Sequence, residues 1–266
     1  MKKFIKGNVK VFVAVIITAV ICICGTVYAA SQILASDISY RNGTVESALN
    51  DLYDKANSST GLVCMKLSGT TNQVGAKYHC DLGDGELRNF YVLKVGTDDV
   101  ELIMERNISD TVGSSTTMSW NDATSFFDEG HDGYSLKQTW LTKVKEVKLP
   151  DAQTIVNAGG ITGFDVTQHV DLVYVYFGTN SQSDYSKRNN YLWLWDYTRE
   201  CPNCSNSLSS SYAYGYWTSS KTVENSSSNA WNVHYIGCLN SSYALTDDTH
   251  IGVRPVITVA KSKLAG

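Results

Sequence analysis

Cys201-Pro202-Asn203-Cys204 and His234-x-x-x-Cys238 together supply three thiols and an imidazole, the soft ligand set of a tetrahedral zinc site. A second chemistry competes for the same residues. In an oxidising compartment Cys201 and Cys204 close a small loop as a disulfide and leave Cys238 unpaired. Cys64 and Cys80 suit a disulfide too, because they flank a candidate hairpin, Leu62 to Leu67 and Lys77 to Leu82, joined by the polar Gly69-Thr70-Thr71-Asn72-Gln73. Both pairs are read as disulfides, and no metal is assigned. Ser, His and Asp are dispersed along the chain, and a triad assembles in space rather than in sequence. The local signatures of catalysis are missing, however: there is no His-Glu-x-x-His, no Gly-x-Ser-x-Gly and no Gly-x-x-x-x-Gly-Lys. No catalytic residue and no cofactor follow from these patterns, so the expectation is a protein that is not an enzyme.

The compartment is set by the N-terminus. Lys2, Lys3, Lys6 and Lys10 occur without an acid among the first ten residues, and Val11 to Ala30 is an almost uninterrupted apolar run. At 1.5 Å per residue such a run is long enough to cross a bilayer core, and the lysines place the N-terminus in the cytoplasm. The rival is a cleaved secretory leader, since Val27-Tyr28-Ala29 and Tyr28-Ala29-Ala30 end in small residues. The length of the run favours an anchor through residues 11–30, and both readings put the rest outside. The expectation is a single-pass cell-membrane protein with its bulk extracellular, or a secreted one if the leader is cut.

Charge narrows the partners. The chain has a formal charge of −4, and beyond the four leader lysines 18 basic residues face 26 acidic ones. An acidic exported part disfavours nucleic acid and anionic lipid as partners. It is large enough for one well-buried domain. Three prolines, 16 tyrosines and 20 glycines are the composition of a turn-rich β-containing domain rather than of a disordered tail.

The elements that must position these residues can be read in order. Residues 1–10 are a basic leader, 11–30 the anchor, 31–59 a stalk and 60–266 the exported domain. In the stalk Thr44 can cap a short helix with Val45, Ala48, Leu49, Leu52 and Tyr53 on one stripe, and such a helix needs a partner, either a copy of itself or the domain. The domain then shows strands over Phe90 to Val95 and Val100 to Met104. Helices follow: one capped by Ser119 and running to Phe127, one over Leu136 to Val144, and one over Asp151 to Asn157 with Pro150 at its start and Gly159-Gly160 at its end. Strands resume at Val170 to Phe177. Strands, helices and strands again predict an α+β fold.

The last third alternates. Trp231, Val233, Tyr235, Leu239, Tyr243, Leu245, Ile251, Val253 and Ile257 sit on odd positions, which share one face of extended chain. The even positions Asn232, His234, Ile236, Cys238, Asn240, Ser242, Ala244, Thr246, Asp248 and His250 form a face too poor in charge to be merely solvated. That face is predicted to point outward and contact a ligand, with Tyr212, Tyr214 and Tyr243 beside it. An ordinary half-exposed antiparallel sheet would show the same alternation.

Several segments together resemble a family of bacterial surface proteins whose domains are similar to the C-type lectin fold and the related formylglycine-generating enzyme fold. They are Cys80-Asp81-Leu82-Gly83-Asp84-Gly85 with Phe90-Tyr91-Val92-Leu93, Lys148-Leu149-Pro150-Asp151-Ala152, Tyr214-Gly215-Tyr216-Trp217-Thr218-Ser219-Ser220, Ala230-Trp231, and Gly252-Val253-Arg254-Pro255-Val256-Ile257. The resemblance implies a lectin-like domain behind the anchor and stalk. The enzyme's chemistry does not transfer, because its copper-binding cysteine pair near the C-terminal end is represented here by Cys238 alone. Trp120-Asn121-Asp122 matches the calcium-binding Trp-Asn-Asp of sugar-binding lectins but lies ahead of a helix, far upstream of the last strands, and is read as a cap. Some such surface proteins are targets of diversity-generating retroelements, which scramble Asn-type codons near the C-terminal end. Every even residue from Asn232 to His250 belongs to the set reachable from those codons.

The resulting expectation is a membrane-anchored binding module that presents a variable face to an extracellular protein or glycan. The alternative is a pilus-like assembly subunit acting through self-association of its stalk, and an enzyme related to the formylglycine-generating group is the third. Topology is the first point to test. Protease added to wall-stripped intact cells should digest the domain and spare the leader, and protection of the whole chain would reverse the assigned orientation.

Overall fold

The computed structural model describes residues 39–40, 43–44, 61–108, 117–168, 173–179, 184–195, 213, 215–222, 229–247 and 251–265. Contacts divide the chain into two units, Met1–Ser59 and Thr60–Gly266. In the first, β1 (Ser39–Tyr40) and β2 (Gly43–Thr44) pair antiparallel. The apolar run 11–30 and the stalk helix after Thr44 lie outside the described residues. Among those described, no helix is long and apolar enough to cross a membrane.

The second unit is α+β, with two mixed sheets and short helices. Its seven-stranded sheet has the order β14-β3-β4-β5-β6-β13-β7, built from β3 (Cys64–Ser68), β4 (Lys77–Asp81), β5 (Leu87–Val95), β6 (Asp99–Met104), β7 (Glu146–Lys148), β13 (Val256–Ala260) and β14 (Leu264–Ala265). Only β14 and β3 run parallel in it. The five-stranded sheet has the order β12-β9-β10-β11-β8, from β8 (Tyr174–Tyr176), β9 (Gly215–Lys221), β10 (Ala230–His234), β11 (Cys238–Asn240) and β12 (Ile251–Gly252). Here the parallel pair is β12 with β9.

The anticipated hairpin forms. Cys64 and Cys80 are register partners on β3 and β4, and the two are joined by a disulfide. Both are fully buried, so the bond crosslinks two strands inside the core rather than at its rim. The first two anticipated helices are shorter than their periodicity suggests, and the third is shifted by one residue. α1 (Trp120–Ser125) is capped by Ser119, whose hydroxyl accepts from Asp122 N–H at 3.1 Å and donates to the Asp122 carboxylate at 2.6 Å. That reciprocal bonding is the role of the Trp120-Asn121-Asp122 segment. α2 (Tyr134–Trp140) starts two residues before the expected Leu136 and stops four before Val144. α3 (Ala152–Ala158) is capped by Asp151, which accepts from Thr154 N–H at 2.9 Å, so Pro150 precedes the cap instead of opening the helix.

Two cores result. One gathers Tyr78, Phe90, Trp140, Trp217, Ile251 and Val253; the other gathers Leu93, Ile155, Val156, Tyr216, Trp231 and Val233. The odd residues of the last third are therefore split between cores and do not share one face. The reason is β9, where Tyr216 and Trp217 point to opposite sides, and the irregular chain after Asn240, which resets the alternation.

Arg254 ties the pieces together. It is fully buried, its Nε donates to the carbonyl of Met104, the last residue of β6, and its Nη1 and Nη2 donate to Leu194 O at 2.6 Å and Trp193 O at 2.7 Å on α5 (Leu192–Trp195). Its guanidinium lies 5.0 Å from the centroid of the Tyr216 ring. A lysine reaches at most some of these acceptors, because its donors do not form a planar fork. Arg254→Lys is expected to lower the unfolding free energy by about 1.5–3 kcal/mol in urea titration. Wild-type stability would show that the guanidinium bonds contribute nothing net.

Candidate functional site

The predicted ligand face centres on the β10–β11 hairpin. Tyr235, Ile236 and Gly237 form its three-residue turn, with Gly237 in the left-handed region at φ 78° and its N–H donating to His234 O at 3.0 Å. An odd loop length preserves parity across the hairpin. Val233 therefore pairs with Leu239, His234 with Cys238 and Asn232 with Asn240. Trp231, Val233 and Leu239 join the core around α3, and the even residues take the opposite side.

That side is covered, which corrects the expectation of an outward face. Asn232, Cys238 and Asn240 are fully buried and His234 is 8% exposed. β10 is an interior strand, flanked by β9 and β11, and Trp217 of β9 is in register with Asn232. The chain after β11 then folds back over the sheet. Tyr243 places its ring 5.9 Å from that of His234, nearly parallel, with Oη 3.3 Å from Nε2. Tyr243 and Leu245 also pack against the first core. Period two tells which side chains share a face, and it says nothing about a segment that returns to cap it. Gly215 shows how close the packing is, since a Cβ there would stand 1.8 Å from Val233 O.

Burial changes the chemistry these residues can do. Cys238 is the free cysteine among the described residues, and burial pushes its thiol far above the ordinary range, with only partial relief from the Arg188 charge. A protonated thiol is a poor nucleophile and a poor metal ligand. Arg188, at the end of α4 (Tyr185–Arg188), sits 5.0 Å from the Tyr176 ring centroid and donates to Ile236 O at 2.6 Å, which fixes the turn. The two asparagines differ from these satisfied groups. Asn240 Oδ1 accepts from Ser242 N–H at 2.9 Å and from its hydroxyl at 2.7 Å. Its Nδ2, and both Nδ2 and Oδ1 of Asn232, are buried without a hydrogen-bond partner among the described residues. Each such atom costs about 1–3 kcal/mol if left unmet.

The remaining predicted residues are dispersed in exposure. Ile236 and Ser242 are half-buried, and Ala244 and Thr246 are exposed on the returning segment, where Ala244 bridges to Asn229. Tyr212, Tyr214, Asp248, His250, Cys201 and Cys204 lie outside the described residues. The chain matches no protein-family model, no curated protein and no solved structure.

A polar network on the other sheet was not anticipated. Glu105, just beyond β6, accepts from Lys77 Nζ at 2.6 Å, Asn89 Nδ2 at 2.8 Å and Tyr91 Oη at 3.1 Å. His79 Nδ1 in turn lies 2.7 Å from Asn89 Oδ1, which makes Nδ1 the donor. The available signal was polar residues at two-residue spacing on paired strands, since Lys77 faces Tyr91 and His79 faces Asn89. Burial raises the Glu105 pKa, but the hydrogen bonds from Lys77, Asn89 and Tyr91 and the charge of Lys77 outweigh it and leave it below its ordinary 4.5. A depressed folded pKa gives stability that is present above the unfolded pKa and lost as pH falls through the folded one. Melting temperature should drop more steeply on acidification below pH 4.5 in the wild type than in Glu105→Gln; identical profiles would remove Glu105 from the acid response.

Proposed function

We propose that this chain is a ligand-binding module, anchored in the cell membrane by residues 11–30 and built on a C-type lectin-like scaffold, which recognises an extracellular protein or glycan. The scaffold reading rests on the α+β architecture of two mixed sheets and on Gly252-Val253-Arg254, whose arginine joins those sheets, together with the sequence resemblance. The observation that carries the binding reading is the facing pair Asn232 and Asn240, with three amide atoms unmet inside the domain. These carboxamides lie beneath the returning segment and act on a ligand through the residues they hold in place, as Asn240 Oδ1 holds Ser242. A fold selected only for stability gains by replacing them with apolar residues of the same shape.

Recognition then divides between a rigid polar floor and a changeable rim. The floor is Asn232, Asn240, His234 and Tyr243. The rim is the half-buried Ser242 with Ala244 and Thr246, where alternate residues Tyr243 and Leu245 hold the segment to the core while Ala244 and Thr246 stay exposed. A rim built this way tolerates diversification of its exposed positions with stability changes within about ±0.5 kcal/mol.

The test separates stability from binding. Asn232→Leu with Asn240→Leu is expected to melt at or above the wild-type temperature and to lose the ligand signal on a glycan array or an array of extracellular proteins. A double variant that unfolds would make the pair structural. One that still binds as wild type would place the ligand elsewhere.

A further inference from the structure

A cleft of about 460 Å³ lies where β5 and β6 part company, lined by residues 86–89, 104–108 and Leu136. It is separate from the Asn232 face, and the argument for it does not depend on that reading. Backbone polar groups alternate sides along a strand. Val92 is turned to the β4 side, since its N–H donates to Ala76 O and its carbonyl accepts from Gly75. Asn89 is turned the other way, its carbonyl accepting from Glu105 N–H at 2.8 Å. Leu87, two residues earlier, therefore aims its N–H and C=O to the same side as Asn89.

Among the described residues no ladder meets them there. The pairing of β5 with β6 begins at Phe90 with Met104, and the chain beyond Glu105 turns away to the other sheet. Ile108 N–H donates to Val253 O at 2.7 Å, and Asn107 Nδ2 donates to Gly215 O at 3.1 Å. Among the described residues Leu87 thus keeps an unused backbone donor and acceptor on the cleft wall.

The charges of the walls are largely spent on one another. Arg88 bonds Asp84 at 2.5 Å and Glu86 at 2.6 Å, and Glu105 bonds Lys77 at 2.6 Å. Such walls do not select a polyanion or a polycation. They suit a neutral chain of alternating donors and acceptors, which is polypeptide backbone. We propose that this cleft takes an extended segment of a partner protein, which continues the β5 ladder through main-chain hydrogen bonds to Leu87.

The probe is a positional-scanning library of N-acetylated, C-amidated linear hexapeptides, titrated against the full-length chain by fluorescence polarisation. Saturable binding is expected. Methylating alternate backbone nitrogens of the best peptide should weaken it roughly ten-fold on one parity and leave the other parity unchanged, since only one edge of an added strand faces β5. Leu87→Pro removes a donor that the fold does not use, at the first residue of a strand, where proline is admitted. It should weaken binding similarly, with Leu87→Ala near wild type. Absence of saturable binding, equal effects of both methylation parities, or wild-type affinity in Leu87→Pro would each overturn the proposal. If Leu87→Pro fails to melt cooperatively, the methylation comparison on the wild-type chain decides.

Discussion

Three carbonyls from two distant parts of the chain converge on one buried cation. Met104 ends β6, while Trp193 and Leu194 belong to α5, and the Arg254 guanidinium bonds all of them while stacking on Tyr216 of β9. Burial lowers the affinity of that guanidinium for its proton, with partial compensation from neighbouring Tyr216. Tyr216 is itself pushed up to about 12, mainly by burial, and stays neutral. Its hydroxyl donates to Leu194 O at 3.0 Å, the same carbonyl that Arg254 Nη1 engages. A charge held by neutral acceptors must satisfy several at once to offset its desolvation. The two sheets and α5 are thereby held to a single relative placement.

That placement creates both candidate sites. The chain after Glu105 leaves the seven-stranded sheet to reach Gly215 and Val253, and Arg254 follows directly on the same stretch. The departure opens the cleft beside Leu87. It also delivers β9 and β12 to the five-stranded sheet, where Trp217 shares a face with Asn232. Trp120 and Trp217 strengthen the same junction: Trp120 Nε1 donates to Thr218 O and Trp217 Nε1 to Met118 O, both at 2.8 Å. Large aromatic rings thus serve as spacers with one polar tip, filling volume while fixing orientation.

Polar groups in this domain fall into two kinds. Glu105, Arg88 and Arg254 have their partners inside the fold, and their charges are balanced locally. Asn232, Asn107 and the amide nitrogen of Asn240 do not. Buried polar groups are rarely left unmatched, and an unmatched one is a reason to look for a ligand rather than a source of stability. The amides of Asn232 and Asn240 sit where recognition has been argued, while Asn72 Oδ1 and Trp231 Nε1 are unmatched elsewhere in the fold.

By itself the sequence determined the local features. The Cys64–Cys80 hairpin, the Ser119 cap and the parity of Trp231, Val233 and Leu239 each depend on residues close in the chain or on a two-residue repeat, and each is present. Tertiary structure decided which faces meet water. Asn232, His234, Cys238 and Asn240 share a face as the alternation implies, yet they are buried, because residues 241–247 return across them and Trp217 lies alongside. The same limit hid the Glu105 network, whose members come from three strands separated by up to 28 residues, and the free edge of Leu87, which exists only because β6 ends early. Periodicity reports the direction of a side chain relative to its own backbone. What stands opposite that side chain is settled by where the rest of the chain folds.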